Sequence, residues 1–166
     1  MCVRTILDAS AFGHLCSGTK NSAGCQLREW IGRGDGKVVY SSYARYAKEV
    51  NAYKEARELL LSFVDNGNAI DIDSTRVKNA LNEIPGDPPR KSDDPHILAL
   101  AKAGEATVLF SCDKKLRKDF ANVEVIPKIG RQKRRSVPGL DDKSPDDTTK
   151  KSERNKFLNS RRCTSC

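Results

Sequence analysis

Three aspartates stand where apolar runs end or begin. Asp8 follows Val3-Arg4-Thr5-Ile6-Leu7. Asp113 follows Thr107-Val108-Leu109-Phe110-Ser111-Cys112. Asp94 opens the run Asp94-Pro95-His96-Ile97-Leu98-Ala99-Leu100-Ala101. A short apolar run ending in an acid reads as a strand that carries a carboxylate to the carboxyl edge of a parallel sheet. That edge is where open α/β folds place their ligand sites. Carboxylates gathered there repel one another and need a cation. Hard oxygen donors in an open cluster suit Mg2+ or Mn2+. The chemistry these residues suit is metal-dependent attack on a phosphate ester. A divalent ion makes hydroxide available near neutral pH and neutralises charge on the reacting phosphate. In-line attack would leave a 5′-phosphate and a 3′-hydroxyl, with no histidine or serine nucleophile.

Positioning three such acids takes several elements, and the pattern of apolar residues supplies them. Strands are predicted over Val3–Leu7, Lys37–Tyr40, Ala69–Ile72, Thr107–Phe110 and Val123–Ile126. Helices are predicted over Ala9–Leu15 and Cys25–Ile31, with a small, polar loop over Ser17–Gly24 between them. Tyr43–Val64 reads as one long helix, or two with a short break, capped by Ser41 or Ser42. Ser74 caps a helix to about Ile84, and Pro85–Pro89 is a rigid loop. Asp94 begins a helix with Pro95 at its first position, a favoured place for proline, and Gly104 ends it. Asp113–Phe120 is the last helix. Strand and helix alternate through residue 127, which predicts a mostly parallel sheet with helices on both faces.

The chain has 166 residues, room for one domain and an extension. No apolar run approaches the roughly 20 residues needed to span a bilayer, and the first apolar stretch carries Arg4 and Asp8. With no export signal in view, a cytoplasmic location is expected. The net charge of +8 is uneven: residues 128–166 hold 12 Lys and Arg against 5 Asp and Glu, a balance of +7. The domain is placed at 1–127, and 128–166 reads as a basic, largely disordered tail. Such a tail attracts polyanions without selecting a sequence, or simply aids solubility. Six cysteines are expected as thiols in a reducing compartment. Only Cys163 and Cys166 have C-x-x-C spacing, and no second pair completes a zinc site.

The acid after the first strand, the Asp-x-x-Ile-Leu-Ala-Leu-Ala helix start and the Val-Leu-Phe-Ser-Cys-Asp strand end occur in a familiar order. Over about residues 3–127 the sequence resembles the PIN domain, the metal-dependent nuclease fold of VapC-like toxins and RNA-processing enzymes. The resemblance implies a three-layer α/β/α sandwich and cleavage of RNA with Mg2+ or Mn2+. Asp8, Asp94 and Asp113 match three of the family's acids. Glu49, on the helix after the second strand, is the candidate for the fourth, ahead of Glu55. Ser10 and Ser111 match small hydroxyl positions beside the acids. The toxins of the family pair with a small antitoxin, and dimers are common among its members.

Each of these residues also has a plainer role. Asp94 and Asp113 could merely cap helices, with Asp93 as an alternative cap beside Asp94. His96 could be a general base or a packing residue; His14 reads as a loop residue. Arg45 and Lys48 could meet substrate phosphates or form a solvated helix face. Trp30, Tyr40, Tyr43, Tyr46 and Tyr53 could stack on bases, although helical spacing of the last three favours core packing or a dimer face. Gly32–Gly36 lacks the features of a phosphate loop. The rival to a nuclease is a non-catalytic RNA-binding or protein-interaction module on the same fold. A nuclease acting on structured DNA is a third possibility.

Overall fold

The strand Arg4–Leu7 (β1) is the middle of a five-stranded, all-parallel sheet. Its Thr5 sits opposite Val38 on one side and Val108 on the other. Thr5, Ile6 and Leu7 are fully buried, as a central parallel strand covered on both faces must be. The remaining strands are Lys37–Tyr40 (β2), Ala69–Asp71 (β3), Val108–Phe110 (β4) and Arg135–Val137 (β5), in the order β3-β2-β1-β4-β5. This computed structural model describes residues 3–17 and 23–127 and the backbone of 135–137.

The helices are Ala9–Ser17 (α1), Ala23–Gly32 (α2), Ala44–Asn51 (α3), Lys54–Asp65 (α4), Ser74–Asn82 (α5), Pro95–Ala103 (α6) and Lys114–Ala121 (α7). The chain first steps outward from β1 to β2 to β3, then jumps back across β1 to β4 and on to β5. Right-handed crossovers therefore put α1–α4 on one face and α5–α7 on the other. The packing agrees: α1 rests on α2, α3 and α4, while α6 rests on α5 and α7. The expected three-layer α/β/α arrangement is the observed one. The order reverses between β1 and β4, and such a switch point opens a crevice at the carboxyl ends of the strands.

The core is built from β1, β2 and β4 with Phe12, Leu27, Trp30, Ile31, Tyr46, Ile97, Leu98 and Leu100 against them. Trp30 meets Phe110 edge-to-face, with ring centroids 6.4 Å apart. The turn into β2 passes so close to Trp30 that a Cβ at Gly36 would lie 2.0 Å from the indole. Glycine is required there by close approach.

One expectation left open is decided and three others change. Tyr43–Val64 is two helices, because α3 buries Tyr46 and Val50 whereas α4 buries Ala56, Leu59 and Phe63. Those two stripes do not share a face at 3.6 residues per turn. Tyr53 takes an extended conformation, φ −121° and ψ 118°, and resets the phase. The cap of α5 is Asp73, whose carboxylate accepts from the backbone N–H groups of Thr75 and Arg76; Ser74 is the first helical residue. Ser41 caps nothing in the usual way but binds the turn into α3, accepting from Tyr43 N–H and donating to the Ile72 carbonyl. The strand expected at Val123–Ile126 is a turn in which Val125 and Ile126 donate to the Asn122 carbonyl. Both side chains are buried, so their apolar character anchors a turn, and β5 pairs with β4 further on. The sheet thus extends past the boundary placed at residue 127. The remainder of the basic tail, with Cys163 and Cys166, lies outside the described residues.

Candidate metal centre

Asp8 leaves β1 directly into α1. Its N–H donates to the Phe110 carbonyl (3.1 Å) and its carbonyl accepts from Ala11 N–H (2.8 Å), so backbone bonds from both sides of the switch point fix it. Its carboxylate is nearly buried. Two hydroxyls meet the same oxygen, Oδ2: Ser10 Oγ at 2.6 Å and Ser111 Oγ at 2.8 Å. Each serine also ties down the β4–α7 turn. Ser10 Oγ accepts from Cys112 N–H (3.1 Å) and Ser111 Oγ accepts from Asp113 N–H (3.0 Å). Oδ1 is the oxygen of Asp8 that no described side chain engages.

Asp94 holds the N-cap position of α6 yet makes no side-chain cap bond. Its own N–H donates to Ser92 Oγ (3.1 Å), and the loop before it hangs on Asp119. The buried Asp119 Oδ2 accepts from Lys91 N–H (2.8 Å) and Ser92 N–H (2.6 Å). Burial pushes the Asp94 carboxyl above its ordinary range; His96 opposes this, Asp8 and Glu49 add to it, and Arg45 opposes it. Asp94 therefore feels the charge of the other two acids, as a carboxylate sharing a site does.

Glu49 projects from α3 toward α6. Its Oε2 lies 2.9 Å from His96 Nε2 and its Oε1 lies 3.4 Å from Arg45 Nε. Arg45 also reaches Asp94 Oδ1 at 3.5 Å and the Asp93 carbonyl at 3.4 Å. Among the described residues, Glu49, Asp94 and His96 each offer a ligand atom within 4.8 Å of the others. Beneath them Tyr46 is buried, and its hydroxyl lies 3.5 Å from the Leu7 carbonyl. Burial raises its phenol, and the Asp8 and Glu49 carboxylates push the same way.

Asp113 differs from the other three acids. Its Oδ1 accepts from Lys115 N–H at 2.7 Å, a genuine helix cap for α7, and it joins the centre through Ser111. Glu55 sits on α4, lining a groove of about 710 Å³ beside Ser10, with Phe12, Gly13, Tyr53 and Ala56. Of the aromatic candidates, Trp30 and Tyr46 are core residues, whereas Tyr53 is 62% exposed on the rim of this groove. His14 lies on α1 instead of in a loop. The placement of His96 against Glu49 is what sequence reasoning weighed too lightly. The signal was its spacing: His96, the second residue of α6, lies four before Leu100 and faces the same way, into the fold. Cys16, Cys25 and Cys112 are thiols.

The fold and site define a class: a parallel α/β protein with a carboxylate-rich centre at the switch point of its sheet. No family model matches the chain, and no curated protein matches it. Among solved structures it is similar to one described as the crystal structure of VapBC2 from Rickettsia felis bound to a DNA fragment from their promoter. The sequences are 17% identical, the TM-score is 0.46, and the match covers 70% of this chain and 92% of that one. Among the described residues no helix is long and apolar enough to cross a membrane.

Proposed function

We propose that this protein is a metal-dependent endoribonuclease of the PIN type, hydrolysing RNA phosphodiester bonds at the crevice between β1 and β4. The observation that carries the reading is Asp94. It occupies a helix N-cap without capping, and burial pushes its carboxyl up, with the Asp8 and Glu49 charges adding to the push. A carboxylate that forgoes its structural bond to crowd two others fits a divalent cation. Asp8, Glu49 and Asp94 would hold Mg2+ or Mn2+, with Asp113 bordering them. When bound, the ion supplies positive charge that activates water and offsets charge on the phosphate.

The chain's own residues then have distinct tasks. Ser10 and Ser111 fix the rotation of the Asp8 carboxylate through Oδ2, which leaves Oδ1 for the cation. Asp119 and Ser92 hold the loop that presents Asp94. Arg45, exposed at the mouth, is placed to meet a substrate phosphate. Water oxygen bonds to phosphorus and the bond from phosphorus to the 3′-oxygen breaks. The 3′-oxygen takes a proton, and the products are a 5′-phosphate and a 3′-hydroxyl.

The test is cleavage of labelled RNA and of structured DNA by the wild type with Mn2+ and with EDTA, and by Asp8→Asn and Asp94→Asn. Metal-dependent RNA cleavage lost in both variants, with 5′-phosphate ends, is the expected result. Preferential cutting of DNA would move the reading to a DNA nuclease. One observation favours the rival binding module: Arg45 and the cap of α7 already engage Glu49, Asp94 and Asp113. Equal RNA binding with and without EDTA, and no cleavage by any form, would establish that module. The sequence resemblance further implies an antitoxin-like protein partner and a homodimer, which co-purification and light scattering would reveal.

A further inference from the structure

We infer that His96 is a positioning residue: its Nε2–H holds the Glu49 carboxylate in place, and the imidazole is not itself a metal ligand. The inference rests on the reading of Glu49 and Asp94 as ligands of the cation. His96 is 1% exposed. Its Nε2 is 2.9 Å from Glu49 Oε2, and its Nδ1 is buried with no hydrogen-bond partner among the described residues.

These two facts choose the tautomer. A neutral imidazole carries one proton, on either nitrogen. With the proton on Nδ1, a buried donor has no acceptor and the Nε2 lone pair points at a carboxylate oxygen. Both arrangements are unfavourable. With the proton on Nε2, a donor meets Glu49, and the lone pair left on Nδ1 is the lesser loss. A metal-ligating histidine puts one nitrogen on the ion and its other N–H on a carboxylate, carbonyl or water. Ligation through Nε2 would break the bond to Glu49 and leave an Nδ1–H with no acceptor among the described residues, while Nδ1 itself is closed off in the interior, away from the half-buried Glu49 and Asp94. The proximity of His96 to Glu49 and Asp94 therefore reflects a partner that orients a ligand. Packing restrains the orienter: α6 lies against β1, β2 and α3 and the imidazole is buried among them.

Two measurements on the full chain test this. Long-range proton–nitrogen correlation spectra of the 15N-labelled wild type report the tautomer, with His96→Gln separating His96 from His14. The expected spectrum is the Nε2–H form in EDTA and again with Mg2+. Transfer of the proton to Nδ1 on adding Mg2+ would overturn the inference. The Mn2+ dissociation constant is then measured by titration. His96→Gln should weaken binding by about tenfold, the scale on which partners of metal ligands act. The pair Glu49→Gln with His96→Gln should bind no more weakly than Glu49→Gln alone, because His96 acts only through Glu49. Additive losses would make His96 an independent ligand and sink the proposal. The wild-type spectrum needs no substitution, so a poorly folded variant does not spare it. Absence of Mn2+ binding by the wild type would overturn the metal reading and the role of His96 in it. The spectrum distinguishes that failure from loss of the His96–Glu49 bond alone.

Discussion

Asp94 and Asp113 both hold the N-cap position of a helix, but only one caps, and stability should expose the difference. Replacing Asp113 by Ala removes the 2.7 Å bond to Lys115 N–H. Such a cap contributes about 1 kcal/mol, roughly 3–5 °C in melting temperature for a domain of this size. Asparagine caps as well as aspartate, so Asp113→Asn should unfold like the wild type. Asp94 has no cap bond to lose. Its carboxyl is raised in the fold, first by burial; His96 opposes this, Asp8 and Glu49 add to it, and Arg45 opposes it. The sign follows. A carboxyl whose folded pKa exceeds its unfolded one favours the fold when protonated. That contribution is lost as pH rises from the ordinary carboxylate range through the folded value. At pH 7 the charge on Asp94 therefore costs stability, and Asp94→Asn in EDTA should be at least as stable as the wild type. The gap should close as the pH is lowered below about 4. The α6 dipole favours the charge by at most about 0.3–1 kcal/mol, which sets the margin. The assay is urea unfolding in EDTA at two pH values. A loss above about 1 kcal/mol in Asp94→Asn, or equal losses in Asp94→Ala and Asp113→Ala, would refute the reasoning.

Asp119→Ala should be costlier than either, by about 3 kcal/mol, because two buried backbone N–H groups lose a charged acceptor. Mn2+ binding should weaken with it, since the loop presenting Asp94 is released; calorimetry checks both. Ser111→Ala removes a donor to Asp8 and the acceptor for Asp113 N–H, which should cost about 1–2 kcal/mol. Combined with Ser10→Ala it should be non-additive, because both hydroxyls meet one oxygen. A double-mutant cycle by urea unfolding measures this coupling. Arg45→Ala should leave Mn2+ affinity unchanged or higher, since it removes a competing cation, and should weaken RNA binding in a filter assay. Loss of Mn2+ affinity by more than threefold would assign Arg45 a structural role instead.

Much of this arrangement was legible because its cause is local. Asp8 and Asp113 follow strands whose apolar runs are short and continuous, and Asp94 precedes a proline at the first position of its helix. The side chains that hold these acids in place were less visible, because their partners are remote in sequence. Ser111 and Asp8 are 103 residues apart, and Asp119 reaches back 28 to Lys91. Asp119 reads in sequence as one more charge on an amphipathic helix, and only the fold shows it buried. The break at Tyr53 was ambiguous because both helices carry good helix formers; the change of buried face decides it. β5 offers one apolar residue in three, too little for any period to register.

The partners of the acids say what the centre is suited to hold. Asp8 is bound by two neutral hydroxyls, Glu49 by an imidazole and Asp113 by a backbone N–H. Apart from the His96 imidazole on Glu49, the one described side chain within ion-pair distance of these four acids is Arg45, which is 54% exposed. Its contacts of 3.4 and 3.5 Å are of the surface type that contributes about 0–1 kcal/mol. Arg45 therefore supplies little counter-charge to the group. A structural ion-pair network would place its cation inside, where pairing is strong. Here hydroxyl, imidazole and backbone N–H donors orient the carboxylates, and the guanidinium stays at the surface. That is the arrangement expected of a site whose counter-charge comes from outside the chain, as a divalent ion does.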